Sequence, residues 1–281
     1  MEKISFINQK AQPLFEAILD FRPTLNFNIL KSALRKKDIK VNDVKVKDNL
    51  LLNIGDKVEF YINSRKNKKI DVIFEDENIL IVFKPAGVET TLKDKTYLNS
   101  KSLEELVGAK ACHRLDKNTE GLVVLAKNIE SENCLIDAFR KHKIKKEYIA
   151  VVSGNINKNG ENLENYIKKE QNFVKICSKN DKNAKIAKLS YVPISSKNDL
   201  SMLKINLETG RTHQIRVQLA HQGIFVLGDE KYGDREINKK YHKTKQLLCA
   251  CELTFDKLSF PLAYLSNKKF EVAPSFEVEN I

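Results

Sequence analysis

A run of five apolar residues, Leu122-Val123-Val124-Leu125-Ala126, follows directly on a polar loop, His113-Arg114-Leu115-Asp116-Lys117-Asn118-Thr119-Glu120-Gly121. The pattern is that of a loop feeding a buried strand, with one carboxylate, Asp116, carried between basic residues and a glycine-containing turn. A carboxylate held beside guanidinium groups stays ionised and can act as a nucleophile or a base. Taken alone, Arg-Leu-Asp favours the plainer reading of a surface ion pair at a strand start. Three further segments reverse that preference.

Ile73 to Gly87 runs Ile-Phe-Glu-Asp-Glu-Asn-Ile-Leu-Ile-Val-Phe-Lys-Pro-Ala-Gly, a strand into a Lys-Pro-x-Gly turn. Lys146-Glu147-Tyr148-Ile149-Ala150-Val151-Val152-Ser153-Gly154 is a second strand with an aromatic residue near its start. Leu207-Glu208-Thr209-Gly210-Arg211-Thr212-His213-Gln214-Ile215-Arg216 is followed by Leu227-Gly228-Asp229-Glu230-Lys231-Tyr232-Gly233. With His-Arg-Leu-Asp-x-x-Thr-x-Gly-Leu, these segments resemble, in order, the motifs of the RluA-type pseudouridine synthases. Two positions depart from the family pattern. Glu120 stands where a small Ser is common, and Cys249-Ala250 where Leu-His-Ala is typical.

The resemblance implies chemistry. Pseudouridine formation breaks the N1–C1′ bond of uridine, turns the base and joins C5 to C1′, with no redox cofactor, metal or ATP. Asp116 is the implied catalytic carboxylate, attacking the sugar or taking a proton at C2′. Arg211 is the implied ion-pair partner of Asp116, and Tyr148 the residue stacked on the pyrimidine, a contact of about 1–3 kcal/mol. Arg114 is the candidate to fill the gap left by a uridine drawn out of its stack. Lys84 and Pro85 are expected to shape the pocket rim, with a phosphate contact open to Lys84. Structural hydrogen bonding is preferred to acid–base roles for His113 and His213.

The chain of 281 residues is long enough for one large domain and a small one. With 42% hydrophobic residues it is globular. Its longest apolar runs fall far short of the roughly 20 residues of a membrane span, and Met1 to Ser5 lacks the apolar stretch of a signal peptide. A cytoplasmic protein is expected. Its five cysteines are an odd number, which favours reduced thiols. Cys249-x-Cys251 lacks a second ligand pair at zinc spacing, so both thiols are read as small core residues and no metal is expected.

The net charge of +12 points to a polyanionic partner. Lysine supplies most of it, and lysine richness also arises from genomic composition. Only eight of the 49 basic residues are arginine, yet Arg114, Arg211 and Arg216 all fall inside the motifs. Arginine makes the bidentate phosphate and carboxylate contacts that lysine makes less well.

Residues 1–69 hold 15 Lys/Arg and 8 Asp/Glu, a net +7. Leu14, Phe15, Ile18 and Leu19 recur at helical spacing after Pro13, and Ile29, Leu30, Ala33 and Leu34 mark a second helix capped by Asn26 or Asn28. That helix runs into Arg35-Lys36-Lys37. Two strands then alternate around Asn42-Asp43, and Gly55-Asp56 turns into a further strand. This order resembles an S4-type RNA-binding domain, although the first helix lacks that family's Arg-Leu-Asp opening. A generic α–β module with a lysine face fits the same pattern. The expected domains are residues 1–63, S4-like, with Arg35, Lys36 and Lys37 on RNA; a linker at 64–69; and a catalytic domain at 70–281. If the N-terminal module makes about four phosphate contacts, log K falls with log salt at a slope near −2.8.

From residue 70, strand patterns dominate, with helices near 99–108 and 129–142 and another over 214–222. Residues 155–172 and 195–200 read as loops. The expected class is α+β, a large, mostly antiparallel mixed sheet with a small N-terminal α/β domain. The expected partner is structured RNA, large-subunit ribosomal RNA first and tRNA second, acted on by a monomer. A non-catalytic S4-type RNA-binding protein is the alternative from another class, and the retained Asp116, Tyr148 and Arg211 argue against it. A metal-dependent hydrolase built on His113 and Asp116 has no ligand cluster behind it.

Overall fold

The computed structural model describes residues 2–22, 25, 27–62, 70–92, 101–154, 156–171 and 173–278. The chain divides into two compact units, Met1–Lys69 with Leu92–Lys101, and Ile70–Thr91 with Ser102–Ile281. The expected linker at 64–69 lies outside the described residues, as do Asn26 and the side chain of Asn28.

The first unit runs β1 (Glu2–Ile7), β2 (Gln12–Pro13), α1 (Leu14–Phe21), α2 (Phe27–Arg35), β3 (Ile39–Val41), β4 (Val44–Lys45), β5 (Leu51–Leu52) and β6 (Lys57–Ile62). Its four-stranded sheet has the order β1-β6-β3-β4. α1 starts directly after Pro13 and buries Leu14, Phe15, Ala17 and Ile18, the residues whose spacing marks it as amphipathic. The β3–β4 turn holds Asn42 at φ 48° and Asp43 at φ 66°. Two successive left-handed residues give the turn whose twist matches a hairpin. Strand β1 is absent from the sequence reading; it pairs with β6 along its whole length, a long-range partner that no local pattern reports. Arg35, Lys36 and Lys37 are exposed where α2 ends.

The second unit runs β7 (Asp71–Glu75), β8 (Ile79–Lys84), α3 (Leu103–Val107), β9 (Lys110–Ala111), β10 (Glu120–Ala126), α4 (Ile129–Arg140), β11 (Ile144–Gly154) and β12 (Glu161–Glu170). It continues through β13 (Phe173–Cys177), β14 (Lys185–Lys197), β15 (Leu200–Leu207), α5 (Gln214–His221), β16 (Ile224–Val226), α6 (Arg235–Lys240), β17 (Leu248–Phe255) and β18 (Lys269–Glu271). Nine strands form a continuous sheet in the order β13-β12-β14-β15-β11-β17-β10-β8-β7, with β16, β18 and β9 attached beside it. The pairing is antiparallel except where β10 meets β17. The expected α+β class with a large, mostly antiparallel mixed sheet is what the unit adopts.

Every residue of β10 is buried, because the strand has a core on each face. Val123 and Leu125 join one apolar cluster, Leu122 and Val124 the other. That explains an apolar run without polar alternation.

Two segments read as loops are ordered otherwise. Residues 161–170 form β12, paired with β13 and β14. Its sequence is polar because only Leu163 and Ile167 enter the core, which is too sparse a signal to read locally. Between Lys197 and Leu200 only Asn198 and Asp199 turn the chain, with Asn198 at φ 56°.

Candidate active site

The loop carrying Asp116 is pinned along its length. His113 Nε2 accepts the Val124 N–H at 3.0 Å. Leu115 donates its N–H to Thr90 Oγ1, and the Thr90 hydroxyl donates back to the Leu115 carbonyl, both at 3.2 Å. The Lys117 carbonyl accepts from Gly87 N at 2.7 Å and from Lys84 Nζ at 3.3 Å. Gln246 donates to the Thr119 hydroxyl. Gly121, at φ 118°, closes the segment; a Cβ there would stand 2.2 Å from the Ala250 carbonyl oxygen, so only glycine lets β10 pass β17 so closely.

Asp116 Oδ2 accepts from Arg216 Nη1 at 2.8 Å. Arg216 is gripped from behind by Asp229, with Nε to Oδ2 at 2.6 Å and Nη2 to Oδ1 at 2.9 Å, a two-point fork. Asp229 Oδ1 also accepts the N–H groups of Lys231 and Tyr232. The guanidinium carbon lies 5.1 Å from the centre of the Tyr232 ring. Among the described residues, Asp116 Oδ1 takes no protein hydrogen bond, so one carboxylate oxygen stays free for a ligand.

The side chains of Asp116, Arg216 and Asp229 are 21%, 9% and 1% exposed. Burial opposes the charge on Asp229, and the Arg216 hydrogen bonds overcome it, so its pKa lies below the usual carboxylate value. Burial likewise opposes charge on Arg216, and the bonds and charge of Asp229, then Asp116, hold its pKa above the ordinary one.

The ion pair expected between Asp116 and Arg211 is therefore corrected to Arg216. Arg211 is exposed, and its Nε donates to the Ile186 carbonyl at 3.2 Å. Arg216 lies within α5, a helix buried almost all round. The side-chain amide of its Gln214 accepts from the Thr209 hydroxyl and donates to the Lys188 carbonyl, and that of Gln218 donates to Asn165 Oδ1 on β12 and the Ala187 carbonyl on β14. An arginine in so buried a helix requires a carboxylate partner. The Asp of the Leu-Gly-Asp turn supplies one, which is the signal that could have identified both residues.

Tyr148 is 6% exposed and packs in the same apolar cluster as Ala150 and Val152. Burial, then the Asp116 charge, raises its hydroxyl pKa. Arg114 is exposed two residues before Asp116.

Lys84 is a second correction. It is fully buried and its ammonium donates to the carbonyls of Val88 at 2.8 Å and of Pro85 and Lys117 at 3.3 Å. It ties two loops of the site together and does not present its charge to a phosphate.

The histidines fit structural roles. Burial, then the Lys146 charge, pulls the His113 pKa down to about 3, so the ring is neutral and able to accept from Val124. His213 Nδ1 is 3.0 Å from the Tyr232 hydroxyl, which also accepts the Val174 N–H. Tyr232 thereby joins α5, β13 and the Asp229 turn, a role the sequence reading missed. Glu120 accepts from both the N–H and hydroxyl of Ser275, so this departure from the family pattern anchors a later segment. Cys249 and Cys251 are both buried thiols. Among the described residues no cluster of His, Cys, Asp and Glu could hold a metal, and no helix is long and apolar enough to cross a membrane.

The family model described as RNA pseudouridylate synthase matches residues 78–221. The ribosomal large subunit pseudouridine synthase C of Rickettsia felis is 34% identical over 84% of this chain and 87% of its own length. An uncharacterized RNA pseudouridine synthase of Mycoplasma capricolum is 34% identical over 93% of each chain. The chain belongs to the RNA pseudouridylate synthase family and is an RNA pseudouridine synthase. The fold matches two solved human proteins, RNA pseudouridylate synthase domain containing 1 and 4. Their TM-scores are 0.57 and 0.56 at 20% and 21% identity, covering 78% and 73% of this chain and 95% and 88% of theirs.

Proposed function

We propose that this enzyme isomerises uridine in large-subunit ribosomal RNA, with Asp116 acting on a nucleotide drawn out of its stack. The observation that carries the reading is the Asp116–Arg216–Asp229 chain. It orients one carboxylate oxygen by a clamped guanidinium and leaves the other open. In one route the free oxygen attacks C1′ as N1 leaves, the base turns, and C5 bonds to C1′ as the Asp116–C1′ ester bond breaks. In the other it removes the C2′ proton as N1 leaves, and that proton returns to C2′ as C5 bonds to C1′. In both, C5 loses its hydrogen as a proton and N1 gains one, so the atoms balance without cofactor or oxidant. Tyr148 stacks on the freed base, and Arg114 fills the space it vacates. Arg211, exposed beside the site, meets RNA rather than Asp116. The first unit acts as an S4-like RNA-binding domain through Arg35, Lys36 and Lys37. Two relatives named as large-subunit enzymes support ribosomal RNA as the substrate.

The test is tritium release from RNA labelled at uracil C5, taken from cells lacking this gene. Wild type and Asp116→Asn are run in parallel on fractionated ribosomal RNA and tRNA. Release from ribosomal RNA by wild type alone is expected. Release by Asp116→Asn would remove Asp116 from the mechanism, and release confined to tRNA would overturn the substrate.

A further inference from the structure

The ammonium of Lys146, on β11, is an anomaly in the second unit. The side chain is half-buried, yet among the described residues it has neither a hydrogen-bond nor an ion-pair partner. Two other lysines of the unit, one half-buried and one fully buried, are satisfied. Lys168 pairs with Asp181 at 2.7 Å, and Lys84 bonds three carbonyls. Lys146 Nζ packs against Gly210, where an added Cβ would stand 3.2 Å away. The groups facing it offer no negative charge. Arg211 is a cation, His113 is neutral, and its cross-strand partner on β17 is Leu253. Burial, then the Arg211 charge, brings the Lys146 pKa down to about 8. Arg211 in turn uses its Nε on the Ile186 carbonyl and, among the described residues, leaves its two outer nitrogens without a protein partner. Lys146 Nζ at Gly210 is thus next in the chain to the exposed Arg211, and two neighbouring cations without a protein acceptor favour an anion between them.

We propose that Lys146 and Arg211 form a seat for a backbone phosphate of the RNA, beside the catalytic carboxylate. The seat rests on the reading of this site as one that takes RNA. Lys146 lies two residues from Tyr148 along β11, about 7 Å of strand. His113, facing Lys146, is on the same pinned loop as Asp116. A phosphodiester held there fixes the nucleotide at or next to the target uridine. Its two non-bridging oxygens meet one ammonium and one guanidinium, relieving their mutual repulsion. Arg211 is thus an RNA-positioning residue and not the partner of Asp116.

The test uses binding by the Asp116→Asn protein, so that no turnover intervenes. Adding Lys146→Met is expected to weaken RNA binding about tenfold. It should also flatten the slope of log K against log salt by about 0.7. Lys146→Arg is expected to keep the slope. Between pH 7 and 9 affinity should fall in the parent protein, as Lys146 loses its proton, and fall less in Lys146→Arg. In the active enzyme, Lys146→Met should raise KM by a larger factor than it lowers kcat. An unchanged salt slope in Lys146→Met would overturn the seat. So would a loss of thermal stability and kcat alone that Lys146→Arg fails to restore. Binding reads this seat independently of tritium release, so its failure is separable from failure of the proposed reaction.

Discussion

Asp229→Ala should disable the enzyme without touching Asp116, the carboxylate proposed to do the chemistry. Asp229 supplies two of the three hydrogen bonds that hold the Arg216 guanidinium, at 2.6 and 2.9 Å, and it also caps the N–H groups of Lys231 and Tyr232. Its removal leaves a buried cation with only the 2.8 Å bond to Asp116. Breaking a buried pair in this way costs about 3–5 kcal/mol. For a unit of this size that is a fall in Tm of about 10 °C. Below that Tm, kcat should fall about 100-fold, because a misplacement near 1 Å is enough for such a loss. Asp116→Asn should behave oppositely, with activity abolished and Tm little changed, since it gives up one partly exposed bond.

Acid titration adds a signed check. The folded pKa of Asp229 lies below its unfolded value of about 3.9, so its contribution to stability is complete above that value. The contribution is lost as pH falls through the folded pKa. Asp229→Ala should therefore flatten the acid limb of the stability curve. Thermal melts from pH 7 down to pH 2, paired with single-turnover tritium release, read both effects. An Asp229→Ala protein with the Tm and kcat of wild type would refute the clamp.

Lys84→Met should lose about 3 kcal/mol, since three carbonyls lose a charged donor, and should leave the salt dependence of RNA binding unchanged; a flattened slope would restore Lys84 as a phosphate contact. Gly121→Ala should cost more than about 4 kcal/mol, because its Cβ would sit 2.2 Å from the Ala250 oxygen, and a melt matching wild type would show that β10 and β17 part easily. Replacing Arg35, Lys36 and Lys37 together with Ala should flatten the salt slope of binding by about 2 if all three meet phosphates. An unchanged slope would place the RNA footprint elsewhere.

The elements with strong local patterns are legible in the chain itself. Leu122 to Ala126 announce a buried strand, Pro13 with Leu14, Phe15 and Ile18 announces α1, and Asn42-Asp43 announces a hairpin. Each depends on side-chain periodicity or backbone preference within a few residues. β1 and β12 are not legible in this way. β1 exists because β6 pairs with it from 50 to 60 residues away, and β12 because its neighbours and α5 accept a strand with two core residues.

The site divides along the same line. Sequence alone singled out Asp116, Tyr148 and a set of arginines as candidates for one chemistry, through the resemblance of their motifs to a family's. It also determined the fold class, since an apolar run flanked by alternating strands admits few layer arrangements. Only the tertiary structure decided which arginine meets Asp116, that Lys84 is turned inward, and that Lys146 has no partner among the described residues. Those outcomes depend on how α5 is buried against β12 and β14, and on which loops close over an ammonium. The local sequence specifies what a side chain can bond, and the packing of distant segments decides which bonds it makes.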